Sequence, residues 1–389
     1  MASTDQGRIA IVAESTFGTT PTNPTLLIKR ITSSSFQYTK NYSESNELDP
    51  NALGGGYTEV SAASGGSINI ELSPASHDDL FEAVVRGTRS TAIAVTAGSA
   101  AIVASTGTVT DTGSFANAEI GQWLLFTGWD KSGNNGWKKI LTNADNDTIT
   151  VATTGLEDET SGGAIRGSTI RSGVVERSFS VEETYTDIDI ARLFKGQRVG
   201  SYSGDMTPGN PLTGTFNFQG TQVSIEDGSP FSWLGTGSRT GSNTNDVMNA
   251  TSSFGGIYID GTLSTSCFKS NSINIDVGLT PSECLGNKFP NAISYGTQTV
   301  TGTLTKLFDS ATLYQAVLDH SSIGLAFGAY NTQGGIHFEA PQVKLLTDGV
   351  SLTGGKNSDV EEPIDWGAER YYDSTLAVYY KIRIDVAGS

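Results

Sequence analysis

A chain of 389 residues is long enough for two or three hydrophobic cores, and its 46 glycines with 9% aromatic residues suit many short strands joined by turns, not a long helical protein. With 24 Lys and Arg against 41 Asp and Glu, a formal charge of −17 repels nucleic acid and anionic membrane in bulk, which argues against a nucleic-acid binder. No stretch approaches the roughly 18 apolar residues of a membrane span, no basic segment and apolar run open the chain, and Cys267 and Cys284 are too few for a disulfide scaffold and read as thiols in a reducing compartment.

Strands are predicted over residues 9–12, 26–28 and 34–39, and the apolar-polar alternation of residues 67–72 predicts another. Residues 79–85 have helical character, with Ser76 as the expected N-cap. Residues 91–167 break the pattern. Strands at 120–126, 136–140 and 148–151, separated by Asn/Asp/Gly turns, read as an inserted small β-module on the outer surface, and Trp123, Trp129 and Trp137 suggest that it has a core of its own. The first pattern resumes at Arg171 with strands through 194–199 and 215–219, and residues 226–252 read as a polar, turn-rich link.

Beyond the link the early pattern returns. Phe36-Gln37-Tyr38 and residues 44–48 align without a gap with Ile273-Asn274-Ile275 and residues 281–285. The strand opened by Gly66-Ser67 and its following helix correspond to Gly302-Thr303-Leu304-Thr305 and residues 311–318, and Phe194-Lys195-Gly196-Gln197-Arg198-Val199 corresponds to Phe338-Glu339-Ala340-Pro341-Gln342-Val343. Self-similarity at a long period means one structural unit built twice. The expected fold is mainly β: two tandem β-sandwich copies, each with a flanking short helix, and an inserted small β-domain. Copy one takes residues 1–90 and 168–225, the insertion 91–167, the linker 226–252 and copy two 253–389.

Chemistry is sparse. His77, His320 and His337 sit in separate segments with no triad spacing and read as surface or capping residues. Residues 350–357 glance at a phosphate-binding loop, but Val350 stands where the first Gly belongs and Asn357 where Ser or Thr would bind magnesium. Asp145-Asn146-Asp147 lacks the glycine and closing Glu of a calcium loop and reads as a turn. The pairs Asp78-Asp79 and Glu361-Glu362 are adjacent, so their carboxylates point apart. No cofactor, metal or enzymatic activity is expected.

A resemblance emerges from several segments taken together. Glu14-Ser15-Thr16-Phe17-Gly18-Thr19-Thr20-Pro21, the acidic stretch 43–51, Gly65-Gly66-Ser67-Ile68-Asn69-Ile70-Glu71-Leu72 and Asp78-Asp79-Leu80-Phe81-Glu82-Ala83 resemble the major tail tube proteins of long-tailed, non-contractile (siphovirus-type) bacteriophages. Arg177-Ser178-Phe179-Ser180-Val181-Glu182, Thr299-Val300-Thr301-Gly302-Thr303-Leu304 and residues 354–368 extend the likeness in the same order. The insertion, with Gly121-Gln122-Trp123 and Gly133-Asn134-Asn135-Gly136-Trp137, is similar to a small domain that some of these proteins carry. The resemblance implies β-sandwiches joined side by side so that their inner sheets close into a barrel around a channel for DNA. Where single-copy relatives form rings of six, two copies per chain imply a trimeric ring with pseudo-sixfold symmetry. Implied partners are further copies of the chain, a tape-measure protein, tail terminator and tail-tip proteins, and double-stranded DNA passing without specific binding. The implied location is the virion tail, after assembly in the host cytoplasm and without membrane insertion.

Period-two alternation then nominates the lumen face. Ser67, Asn69 and Glu71 oppose Ile68 and Ile70, and Thr215, Asn217 and Gln219 oppose Phe216 and Phe218. Ser180 and Glu182 oppose Phe179 and Val181, and Asn274 and Asp276 oppose Ile273 and Ile275. The long loops 43–57 and 280–295, with Glu44, Glu47, Asp49 and Asn51 in the first and Glu283, Asn287 and Asn291 in the second, are expected to reach the neighbouring ring. Two other classes compete. A β-rich phage or bacterial adhesin would bind a receptor or glycan as a discrete oligomer, and a carbohydrate-active enzyme would need two carboxylates brought together from distant strands.

Overall fold

A computed structural model describes residues 3–48, 50, 55–347, 349–352 and 356–388. Copy one contributes β1 (Gly7–Ala13), β2 (Thr25–Lys29), β3 (Gln37–Glu44), β4 (Tyr57–Glu71) and helix α1 (Asp78–Val84). After the insertion come β5 (Ala164–Arg171), β6 (Phe179–Tyr185), β7 (Ile190–Met206), β8 (Thr213–Gly220) and β9 (Val223–Asp227). The strand expected over 34–39 is split, because Phe36 turns into the core between a short Ser33–Ser34 strand and β3. Ser76 does not cap α1. His77 holds the cap position without a side-chain bond to the helix, and the Ser76 hydroxyl instead donates to Asn243 Oδ1 at 2.8 Å.

Copy two repeats the plan with β10 (Phe254–Ile259), β11 (Phe268–Asp276), β12 (Thr299–Leu307), α2 (Thr312–Leu318), β13 (Ser322–Asn331), β14 (Gly334–Leu345), β15 (Glu361–Ala368) and β16 (Arg383–Gly388). The pairings repeat with it. β3–β4, β4–β8 and β8–β7 in copy one match β11–β12, β12–β15 and β15–β14 in copy two. In the second sheet, β1–β6–β7–β9 matches β10–β13–β14–β16. β7 and β14 each run through both sheets, so each turns a corner of its sandwich.

The two copies meet strand to strand. Residues 201–205 of β7 pair with β8 on one side and with β11 on the other, which makes one long sheet in the order β3-β4-β8-β7-β11-β12-β15-β14. The apolar face of this sheet carries Ile68, Phe216, Tyr202, Ile275, Leu304 and Trp366 into a single core shared by both copies. Within one chain the long sheet is open. The segment expected as a link lies along copy one: Ser238–Thr240 pairs in parallel with β2, and Phe231 and Met248 are buried.

The insertion has its own core around Ile102, Phe115, Leu124, Phe126, Trp129 and Ile149. Only one of the three expected tryptophans belongs to it. Trp123 and Trp137 turn instead to copy two, where together with Leu125 of the module they pack on Ala326 and Ala387. The Trp123 ring stacks on His337 at 4.3 Å and its Nε1–H donates to Glu339 Oε2 at 3.0 Å. Lys139 Nζ reaches Glu339 at 2.6 Å, and the buried Arg383 contacts Glu339 and the Gly121 carbonyl while bonding Asp385 at 3.1 Å. β5 joins the bodies: residues 164–166 pair with module strand Trp123–Thr127, and residues 168–171 pair with β16 of copy two.

Two of the three histidines are core residues, which corrects the surface reading for them, although His77 does stand at the cap position of α1 without a side-chain cap bond. His77 and His337 are buried, and only His320 is exposed. Burial, aided by the Lys29 charge, holds His77 down to about 4. Burial and the charges of Arg383 and Lys139 hold His337 well below the ordinary imidazole value. Period-two and helical patterns place residues on faces but do not reveal a histidine whose neighbours come from other segments.

Both histidines stay neutral in the folded chain and take up protons on unfolding below about pH 6.5. Their contribution is therefore whole above that pH and shrinks as the pH falls below it, for His77 down to its folded value near 4. Chemical denaturation of the wild type should lose about 1.4 kcal/mol per pH unit for each histidine below about pH 6, and His77→Gln should remove one histidine's share of that slope. An unchanged slope would mean that His77 is protonated in the fold. A second expectation concerns the module: Trp123→Ala should cost about 3–5 kcal/mol and raise hydrogen exchange along β16, whereas Trp129→Ala should raise it within the module alone.

Candidate functional site

The face of the long sheet opposite the core is built of short polar side chains in register. In one row Glu71 lies beside Thr213, Thr213 beside Asp205 and Asp205 beside Ser272. In the next, Asn69, Thr215, Ser203, Asn274 and Thr301 follow one another, and in the third Ser67, Asn217, Ser201, Asp276 and Thr299 do so. Hydrogen bonds tie neighbours along the rows: Thr215 Oγ1 donates to Asn69 Oδ1 at 2.7 Å, Asn217 Nδ2 to Ser201 Oγ at 2.9 Å and Thr303 Oγ1 to Asp365 Oδ1 at 2.7 Å. The residues named in these rows include carboxylates and no Lys or Arg. Among the described residues, the cations on this face are Lys344, which ends the second row beyond Gly367 and meets the His320 carbonyl, and Arg198 beside Gln219, which pairs with Glu176. The middle of the face therefore has neither the positive charge nor the forked donors that hold phosphate.

Eight of the ten residues expected on a hydrated face share this one: Ser67, Asn69, Glu71, Thr215, Asn217, Gln219, Asn274 and Asp276. Ser180 and Glu182 do not. Both are fully buried in β6, in the second sheet. Glu182 accepts Arg239 Nε at 2.7 Å, Arg239 Nη2 at 2.8 Å and Trp233 Nε1 at 2.9 Å. Burial opposes its charge, but the hydrogen bonds from Arg239 and Trp233 outweigh burial and keep its carboxyl below the usual range. The alternation of β6 looked like a wetted face because its cover comes from the distant segment 231–240. Sequence reasoning missed Ser201, Ser203, Asp205, Ser272, Thr301 and Thr303. The alternating threonines 299–305 carried a readable signal, but residues 201–205, with Gly204 in an apolar place, carried almost none.

The long sheet ends in two open edges. Among the described residues β3 pairs only with β4, and most of its residues are exposed. At the far side the chain beyond β14 runs along β15, with Leu346 N–H donating to the Asp365 carbonyl at 2.7 Å and Gly349 N–H to the Pro363 carbonyl at 3.0 Å. The matched positions in copy one are those that pair with β11.

The two long loops differ. Glu44 and Glu47 are exposed at the end of the β3–β4 ribbon, and Asp49 and Asn51 lie outside the described residues. In the other loop Glu283, Asn287 and Asn291 are exposed around the hairpin Thr280–Ser282/Ala292–Ser294, and the loop lies over copy one of its own chain. The Lys288 carbonyl accepts the Ala62 N–H at 2.9 Å, Lys288 Nζ meets Glu59 at 2.7 Å, and the Tyr295 ring sits 4.4 Å from the Arg86 guanidinium and 4.7 Å from that of Arg198. Among the described residues no group of three or more His, Cys, Asp or Glu is placed to hold a metal ion, and no helix is long and apolar enough to cross a membrane.

Among curated proteins we find no sequence that matches this chain. A family model described as phage tail tube protein does match, over residues 4–368. That span takes in copy one, the insertion and copy two through β15, so the chain belongs to the phage tail tube protein family and has a structural role in the virion.

Proposed function

We propose that three chains close side by side into a ring of six copies, that the polar rows line its channel, and that stacked rings form the tube of a long, non-contractile tail through which double-stranded DNA is ejected. The observation that carries this reading is the β7–β11 pairing. It joins copy to copy within the chain and leaves, at the two ends of the sheet, the edges that the same pairing would use between chains. Allowing for the bulge between Val199 and Ser201, Leu345 and Leu346 of one chain stand opposite Tyr38 and Gln37 of the next, as Tyr202 and Ser203 stand opposite Ile275 and Asn274. Closure would remove both exposed edges.

The ring reading gives every part a place. Polar rows whose few cations stand at the margins and are already engaged let phosphate slide past without specific contacts. The second sheet and the insertion lie away from the channel, on the outer wall. Because the 280–295 loop is occupied within its own chain, reach toward a neighbouring ring falls to the 43–57 loop, where Tyr42, Leu48 and Tyr57 are exposed. Partners are further copies, a tape-measure protein, tail terminator and tail-tip proteins. Assembly takes place in the host cytoplasm, and no catalytic step is involved. The family membership weighs for this role over that of a receptor-binding module.

Native mass spectrometry and top-view averages of assembled protein should show three chains enclosing six lobes, with three outer decorations. Six chains per ring would refute the arrangement. Thr347→Pro should leave a folded chain that makes no rings, because proline removes an edge donor while the Leu346 bond to β15 remains. A further expectation concerns the channel: replacing Glu71, Asp205 and Asp276 by Lys, all on the polar face, should preserve the fold and slow DNA ejection, most at low salt. Ejection at the wild-type rate from virions shown to contain the variant tube would place these residues elsewhere.

A further inference from the structure

The junction inside the chain has a second layer beneath the β7–β11 pairing. α1 and the residues leading into it press on copy two: the Phe81 ring lies 5.8 Å from that of Phe338, and Pro74 and Ala75 come so close to Gly334 and Gly388 that neither glycine has room for a Cβ. On the copy-two side, β16 presents Ile384 and Val386, both buried in the shared core.

The other end of the chain carries both halves of this layer without their partners. α1 and α2 each have seven residues, and each is followed two residues later by a residue in the left-handed region, Arg86 with φ 56° and His320 with φ 51°. In this register Ala83 and Val84 match Val317 and Leu318, and Pro74 matches Phe308. α1 buries Leu80, Phe81, Ala83 and Val84, whereas α2 buries only Leu313 and leaves Leu318 62% exposed. Phe308 is 43% exposed. The second sheet shows the complement. Phe194 lies opposite Val223 and Arg192 opposite Ile225, as Phe338 lies opposite Ile384 and Ile336 opposite Val386. Ile225 therefore holds the place of the buried Val386, yet it is 66% exposed.

We propose that α2 of one chain docks on β9 of the next, with Phe308, Val317 and Leu318 covering Val223 and Ile225. The occupant is a second copy of this chain, because the matched surfaces inside the chain are covered by a copy of the same fold. Burying branched apolar side chains on both partners supplies hydrophobic attraction that edge hydrogen bonds alone do not. The proposal rests on the ring reading and names the lateral contact that accompanies strand pairing.

The test uses the full chain with Cys267 and Cys284 replaced by Ser, carrying Ile225→Cys and Leu318→Cys, oxidised after assembly. Covalently linked chains, up to closed trimers, are expected on denaturing gels. Leu318→Glu alone should leave thermal unfolding unchanged and raise the protein concentration needed for rings at least about tenfold, a factor worth about 1.4 kcal/mol. Rings without cross-links, or Leu318→Glu rings at the wild-type concentration, would overturn the docking while leaving the ring intact. Absence of rings from the wild type under every assembly condition would instead overturn the reading on which it rests.

Discussion

One stretch of backbone, residues 201–205, spends its hydrogen bonds on two neighbours at once, β8 of its own copy and β11 of the other. Backbone donors and acceptors at a sheet edge must find partners or face water. Here the edge of copy one is closed by copy two, and everything else follows the alignment this imposes. It sets the polar rows side by side across both copies, merges the two apolar faces into one core and brings α1 against Phe338. It also transfers the unsatisfied edges to β3 and to the chain beside β15.

The insertion restrains the same junction from the other side. It is threaded through copy one, but Trp123, Trp137 and Lys139 engage copy two, around a buried set of charges formed by Arg383, Glu339 and Asp385. Burial pushes the Asp385 carboxyl up to about 6, which the Arg383 charge only partly offsets. Buried ion groups of this kind add little net stability over apolar packing, but they penalise every misaligned arrangement heavily, since a shift would leave a charge buried without its partner. The module thus acts as a gauge of how the copies sit.

Much of the architecture was legible in the sequence because period-two alternation is local. Residues 67–72, 215–219 and 273–276 announced their faces from neighbours two positions away, and they share one surface in the fold. What stayed hidden depended on segments far along the chain. Glu182 alternates like a wetted residue and is covered by Arg239, while Trp123 sits in the module and serves copy two through Glu339. Local patterning also could not show that residues 238–240, set among polar turns, would add a parallel strand beside β2. Alternation identifies which side chains share a face, but not what comes to lie upon it.

The tandem arrangement changes the kinetics of building as well as the geometry. Strand pairing between separate subunits proceeds at whatever concentration the cell provides, but β7 and β11 are tethered by the intervening chain and meet at an effective concentration of the order of millimolar. In the proposed ring, every second lateral contact would be complete when its polypeptide folds and would be indifferent to dilution. Growth then responds to subunit supply through fewer encounters, and a scarce protein reaches a closed ring by a lower-order reaction than a single-copy subunit would need.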